Sequence, residues 1–209
     1  MTEYVLHCFG ESGNSYKAAL MLELCGCAWE PRFVDYLGGE SRSAAYRDTL
    51  NETGEIPVLG HEGRRLSQSG VILTYLAERT GRYLWRDEEQ RLEVLRWLLF
   101  DNHKFTSYFA TLRFVVGIEK APESPATEFL RGRAAGAFAI VDRHLASQPF
   151  MAGADPTIAD VSMVGYLYYP QATGLDRSAF PNIERWCERV AALPGWRGPY
   201  DLMPGRAPA

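Results

Sequence analysis

Long apolar runs are missing from this chain of 209 residues. Its longest hydrophobic stretches fall far short of the twenty or so residues that a membrane helix needs, so no membrane span is expected. The opening MTEYVLHCFG has no basic segment followed by an apolar one, which argues against a secretory leader. A basic excess is also missing: 22 Lys and Arg stand against 26 Asp and Glu, a formal net charge of -4. That balance gives nucleic acid no electrostatic footprint. Cysteine is scarce, with Cys8, Cys25, Cys27 and Cys187 and no CxxC or zinc-type cluster among them. Reduced cysteines in a cytoplasmic protein with no metal site are the expectation. No internal repeat is present.

What the chain does have is 46% hydrophobic residues, enough to bury one large core or two small ones. Tyr4 to Phe9 is β-branched and aromatic and reads as a first strand. Gly10 to Asn14 is a turn, followed after Ser15 by a helix that Gly26 stops. Trp29 to Asp35 alternates as a second strand, and Ser41 to Leu50 is a weak polar helix. Val58-Leu59 and Arg65-Leu66 flank His61-Glu62-Gly63 as a hairpin. Ser69 to Arg79 is amphipathic and closes at Gly81. The order is βαβαββα over residues 1–80, an α/β domain.

Strand signals then cease. Asp87 caps a long helix running through Leu92, Leu95 and Leu98 toward Phe114. Ser124-Pro125 opens a helix that ends near Leu145. Thr157 and Asp160 form a capping box before an apolar helix, and Pro181 starts another. The proline-rich tail from Pro194 reads as irregular. Residues 87–209 are therefore expected to form an all-α domain.

Three motifs in this order resemble the cytosolic glutathione transferases. They are SGNSYKAALML (Ser12 to Leu22), GEIPVL followed by QSGVILTYL (Gly54 to Leu59, Gln68 to Leu76), and TIADVSM (Thr157 to Met163). The resemblance covers essentially the whole chain and implies a bacterial-like, serine-type member with a theta- or zeta-like active-site pattern. It implies a thioredoxin-like, glutathione-binding N-terminal domain and an all-helical substrate-binding domain. The implied activity is detoxifying conjugation of the thiolate of reduced glutathione to a small hydrophobic electrophile, in a cytoplasmic homodimer. Glutathione would be a co-substrate, and no cofactor is implied. An isomerase, dehalogenase or peroxidase using glutathione, or a non-catalytic binding module, are the alternatives.

The resemblance also assigns residues. A proline at a strand start is ordinarily trans, but Pro57 matches a cis proline of the family, which would let Ile56 pair its backbone with the cysteine moiety of glutathione. Ser69 opens a helix, a ready anion site for the γ-glutamyl carboxylate, with Gln68 beside it; Ser69 could equally cap its own helix. Ser12 matches the residue that stabilises the thiolate, and Asn14 and then Ser15 compete for that role. Serine is also a common N-cap or turn residue. At helical spacing Asp101, Phe105, Tyr108 and Leu112 share a face, which the resemblance places along the substrate pocket and dimer cleft. A core stripe fits the same spacing. Asp101 is further implied to reach the ligand's ammonium in the partner subunit, and His103, Lys104 and Arg113 are polar pocket candidates. One departure stands out. Glu55 lies where many relatives have a lysine for the glycyl carboxylate, leaving that end to Arg42, Arg47 or the preceding loop.

Overall fold

In a computed structural model describing residues 3–205, the chain divides into two compact units. One runs up to Leu84 and takes in the segment from Leu193; the other is Trp85–Ala192.

The first unit is built on a four-stranded sheet of order β2-β1-β3-β4. The strands are β1 (Tyr4–Cys8), β2 (Trp29–Phe33), β3 (Val58–His61) and β4 (Arg64–Ser67). β1 and β2 are parallel, as their long connection through α1 (Gly13–Cys25) permits; the other two pairings are antiparallel. The hairpin turns on Glu62 and Gly63, both at positive φ (49° and 75°), the backbone a two-residue turn needs to match strand twist. β1 alternates as the sheet period demands, with Tyr4, Leu6 and Cys8 buried. Helix α1 is buried almost throughout, from Tyr16 to Leu22, and ends in a left-handed Gly26 whose N–H returns to the Glu23 carbonyl. The weak helix of the sequence splits into a 3-10 turn (Glu40–Arg42) and α2 (Ala44–Thr49), with Ser43 as the cap between them. Helix α3 spans Ser69–Thr80.

The tail was expected in the helical domain, but it belongs to the first unit. The Tyr16 hydroxyl donates to the Arg197 carbonyl (2.7 Å), and the Gly10 N–H donates to the Pro204 carbonyl (2.9 Å). A side chain at Gly10 would meet Gly205 Cα at 2.8 Å, so only glycine allows this approach. The segment is not wholly irregular either, since α9 (Pro199–Leu202) forms one short turn.

The second unit is helical: α4 (Glu88–Phe100), α5 (Thr106–Leu112), α6 (Pro125–His144), α7 (Ile158–Met163) and α8 (Pro181–Ala191). The single long helix expected to Phe114 is interrupted by π turns at Asp101–Phe105 and Arg113–Ile118. Each wide turn holds the side chains back relative to a 3.6-residue period. The buried face therefore reads Asp101, Phe105, Phe109, Leu112 (at most 5% exposed), and Tyr108 turns to its edge. The capping box of α7 forms as expected. The fully buried Asp160 carboxylate accepts from the Met151 and Thr157 N–H groups (2.8 and 2.9 Å) and from Trp186 Nε1 (2.9 Å). Among the described residues no helix is long and apolar enough to cross a membrane.

Candidate functional site

Strand register alone gathers the chemistry-bearing segments of the first unit. His7 pairs with Val58 and Val58 with Ser67. The chain leaving β1 toward Ser12, the chain entering β3 through Ile56-Pro57, and the chain leaving β4 through Gln68-Ser69 therefore share one edge of the sheet. Cys8 pairs in parallel with Phe33, which brings the loop after β2 to the same edge. Two helices, α1 and α3, begin there, and a helix N-terminus carries unpaired N–H groups and a partial positive charge.

Ser12 is the N-cap of α1, and its hydroxyl accepts from the Ser15 N–H at 3.2 Å. Capping uses the oxygen as an acceptor and leaves the hydroxyl hydrogen free, which finds no acceptor among the described residues. So the cap role and a donor role are compatible in one side chain. The next residues are polar and unsatisfied: Asn14 Oδ1 and Ser15 Oγ are buried with no partner. Buried polar atoms are nearly always matched, so these two are exceptions within this turn.

The Ile56–Pro57 bond is cis. Ile56 is half-buried, and its N–H and C=O take no hydrogen bond among the described residues. Gly54 and Gln68 both have positive φ (69° and 67°), a conformation that glycine tolerates and glutamine rarely adopts. Gln68 is the N-cap of α3 but makes no side-chain cap. The first bond from this turn is Ile72 N–H to the Gln68 carbonyl, which leaves the Ser69, Gly70 and Val71 N–H groups without a partner inside the helix.

Glu55 does not stand apart from this turn. Its Oε2 accepts from Gln68 Nε2 at 2.7 Å and from Thr53 Oγ1 at 3.2 Å. Its backbone carbonyl accepts from the Tyr46 hydroxyl (3.0 Å) and Asn51 Nδ2 (2.9 Å). Burial, with the charge of Glu40, pushes the Tyr46 phenol up to about 12, so it stays a donor. The guanidinium of Arg47 lies over Gly54, where a side chain would meet its Nε at 3.0 Å. Arg42 and Arg47 are exposed, with no carboxylate partner among the described residues.

The thiols are elsewhere. Cys8 is buried within β1, and desolvation pushes its pKa up to about 12; Cys187 is raised to about 12 and Cys27 to about 11, also by burial. None has the lowered pKa of a nucleophilic cysteine.

The second unit holds the helical-face residues singled out in the sequence, and Asp101 and Phe105 are buried in its core. Asp101 is 1% exposed; Ser162 Oγ donates to one carboxylate oxygen at 2.6 Å and Thr106 Oγ1 to the other. Buried this way, with each oxygen accepting a bond from within the helical unit, it presents no exposed acceptor. Phe105 stacks on Phe138 (4.7 Å between centroids) in the core. Tyr108 and Lys104 line a cavity of about 240 Å³ with Gly132, Arg133, Gly136 and Ile140. The Tyr108 hydroxyl accepts from Arg133 at 3.0 Å. His103 is exposed, while Arg113 is buried over the Tyr169 ring (3.9 Å) and donates to Gln171.

Sequence reasoning missed two things here. One is the C-terminal segment beside Gly10, next to Ser12; a glycine before a serine-rich turn was its only trace. The other is the pairing of Glu55 with Gln68, which requires the hairpin register.

Comparison with known proteins bears on the fold and the family. The chain is 32% identical to a glutathione S-transferase from Pseudomonas fluorescens whose solved structure it matches with a TM-score of 0.90, over 95% of this chain and 99% of that one. The chain belongs to the glutathione S-transferase family. Residues 4–78 match the family's N-terminal domain and residues 124–189 its C-terminal domain. Among curated transferase relatives, glutathione S-transferase F14 of Arabidopsis thaliana is 28% identical over 91% of this chain and 80% of its own length. A maleylacetoacetate isomerase of Rhizobium meliloti is 31% identical over 91% and 94% respectively.

Proposed function

We propose that this transferase-family chain binds reduced glutathione at the sheet edge of its first unit and adds the glutathione thiolate to a small hydrophobic electrophile. The observation that carries this reading is the convergence at one edge of a capping Ser12 hydroxyl whose hydrogen is uncommitted, an unpaired Ile56 backbone and an α3 N-terminus with no side-chain cap. An extended peptide pairs with Ile56, and the γ-glutamyl carboxylate sits on the Ser69 and Gly70 N–H groups, as helix N-termini favour. The thiol falls to Ser12, whose hydroxyl donates to the thiolate, with Asn14 beside it. A donor and a helix N-terminus both favour the charged form and lower the thiol pKa. Arg47 or Arg42 takes the glycyl carboxylate. Glutathione is a co-substrate in this scheme, and no further cofactor is invoked.

A second reaction shares this chemistry. The isomerase relative motivates it: a thiolate that adds to an unsaturated acid can be expelled again after bond rotation, leaving an isomer and free glutathione. Conjugation and isomerisation differ in whether glutathione is consumed. A cytoplasmic homodimer is proposed with either reading; the exposed Phe129 and Ile140 on α6 are apolar surface that a second copy would cover.

Calorimetry of the full chain with reduced glutathione tests the binding step, with Kd expected below about 1 mM, within the usual range for enzyme substrates. No heat and no thermal shift at several millimolar glutathione would refute it. Sedimentation of the same sample reads the dimer.

A further inference from the structure

We propose that Glu55 is the acceptor for the ligand's α-ammonium group, and so a specificity-determining residue for a γ-glutamyl thiol. The inference rests on the reading of glutathione as the thiol substrate.

By position in the sequence, Glu55 faces the wrong partner, a glycyl carboxylate that it would repel. The structure moves it to the other end of the ligand. Its Oε2 lies 2.7 Å from Nε2 of Gln68, the N-cap of α3. The carboxylate thus stands one side chain from the N–H groups assigned to the γ-glutamyl carboxylate. An α-amino-acid head carries its ammonium and carboxylate on the same carbon. A helix N-terminus for the anion with a fixed carboxylate beside it for the cation is the complementary charge pattern.

Further observations support the assignment. Glu55 is fixed before any ligand arrives: its backbone oxygen is held by Tyr46 and Asn51, and its Oε2 by Gln68 and Thr53. Its Oε1 has no partner among the described residues and is the atom offered. Gln68 is neutral, and its amide donates to Glu55, so Gln68 orients the carboxylate instead of supplying one. Asp101, which the sequence suggested for the ammonium, is buried in the other unit with both oxygens bonded. The glycyl end does not need a lysine at position 55, since Arg47 and Arg42 are exposed cations without carboxylate partners among the described residues.

The test is calorimetry on the full chain, wild type and Glu55→Gln, with three probes. They are reduced glutathione, its analogue with hydrogen in place of the α-amino group, and its glycinamide analogue. Wild type should bind the deaminated analogue about tenfold or more weaker than glutathione, the scale of one charge-assisted hydrogen bond. Glu55→Gln should lose a similar factor for glutathione and bind the two nearly alike, with the glycinamide preference unchanged. If Glu55→Gln keeps the full penalty for losing the amino group, the assignment is wrong. It is equally wrong if Glu55→Gln binds glutathione more tightly and the glycinamide no better, since that places Glu55 against the glycyl carboxylate. A wild type that binds none of the three overturns the glutathione reading itself, and the proposal with it.

Discussion

Removing the Ser12 hydroxyl should have two separable effects, because the oxygen and the hydrogen of that group do different work. As an acceptor it caps α1 through the Ser15 N–H at 3.2 Å. An N-cap serine replaced by alanine costs about 1 kcal/mol, whereas glycine in its place costs only a few tenths. For a chain of this length 1 kcal/mol lowers Tm by about 2–4 °C. As a donor the hydroxyl would stabilise a thiolate, and a hydrogen bond to a charged group is worth about 1.5–3 kcal/mol. At 1.36 kcal/mol per pKa unit, losing it raises the bound thiol's pKa by about one to two units. The sign follows directly: the donor favours the deprotonated form, so its loss moves the acidic limb of the kcat/KM profile to higher pH. Ser12→Gly and Ser12→Ala should therefore share a roughly ten- to hundredfold activity loss at pH 6.5 that shrinks as pH rises. Only Ser12→Ala should also lose 2–4 °C, by the cap argument. The assay is a pH series of conjugation with a chromogenic electrophile, paired with thermal melts and the ultraviolet absorbance of bound thiolate. An acidic limb unmoved in both variants, with Asn14→Ala shifting it instead, would refute the assignment of Ser12.

Two structural predictions follow from the helical unit. Asp160→Asn places an amide NH2 against donors that now meet a carboxylate, the Met151 and Thr157 N–H groups and Trp186 Nε1, and should cost about 3 kcal/mol in chemical denaturation; a loss under 1 kcal/mol would mean the network is dispensable. Phe109→Ala should cost about 3–5 kcal/mol as a core truncation, while Tyr108→Ala costs far less; equal losses would contradict the shift of phase by the π turn.

Much of the molecule was legible in the residues because its signals are local. The βαβαββα order, the caps at Ser124 and Thr157 and the stop at Gly26 depend on neighbours within one helical turn, and the resemblance of three short motifs pointed to Ser12, Pro57 and Ser69 as candidates. The long helix failed where a local rule was extended over several turns: the 3.6-residue period put Tyr108 with Asp101, and the π turn at Asp101–Phe105 replaced it with Phe109. The spacing could not distinguish a pocket stripe from a core stripe, since burial depends on what the other helices bring.

By itself the sequence determined the two kinds of secondary structure, the order of the elements and the polar turn at the start of α1. Tertiary structure decided which distant pieces meet. Hairpin register set the Glu55 carboxylate on Gln68, thirteen positions along the chain, and so turned an apparent defect into a fixed anion beside a helix N-terminus. Packing assigned the tail after Leu193 to the first unit, where glycine at position 10 lets two backbones touch. Both outcomes depend on contacts between segments far apart in the chain, and propensity, caps and periodicity report only on near neighbours.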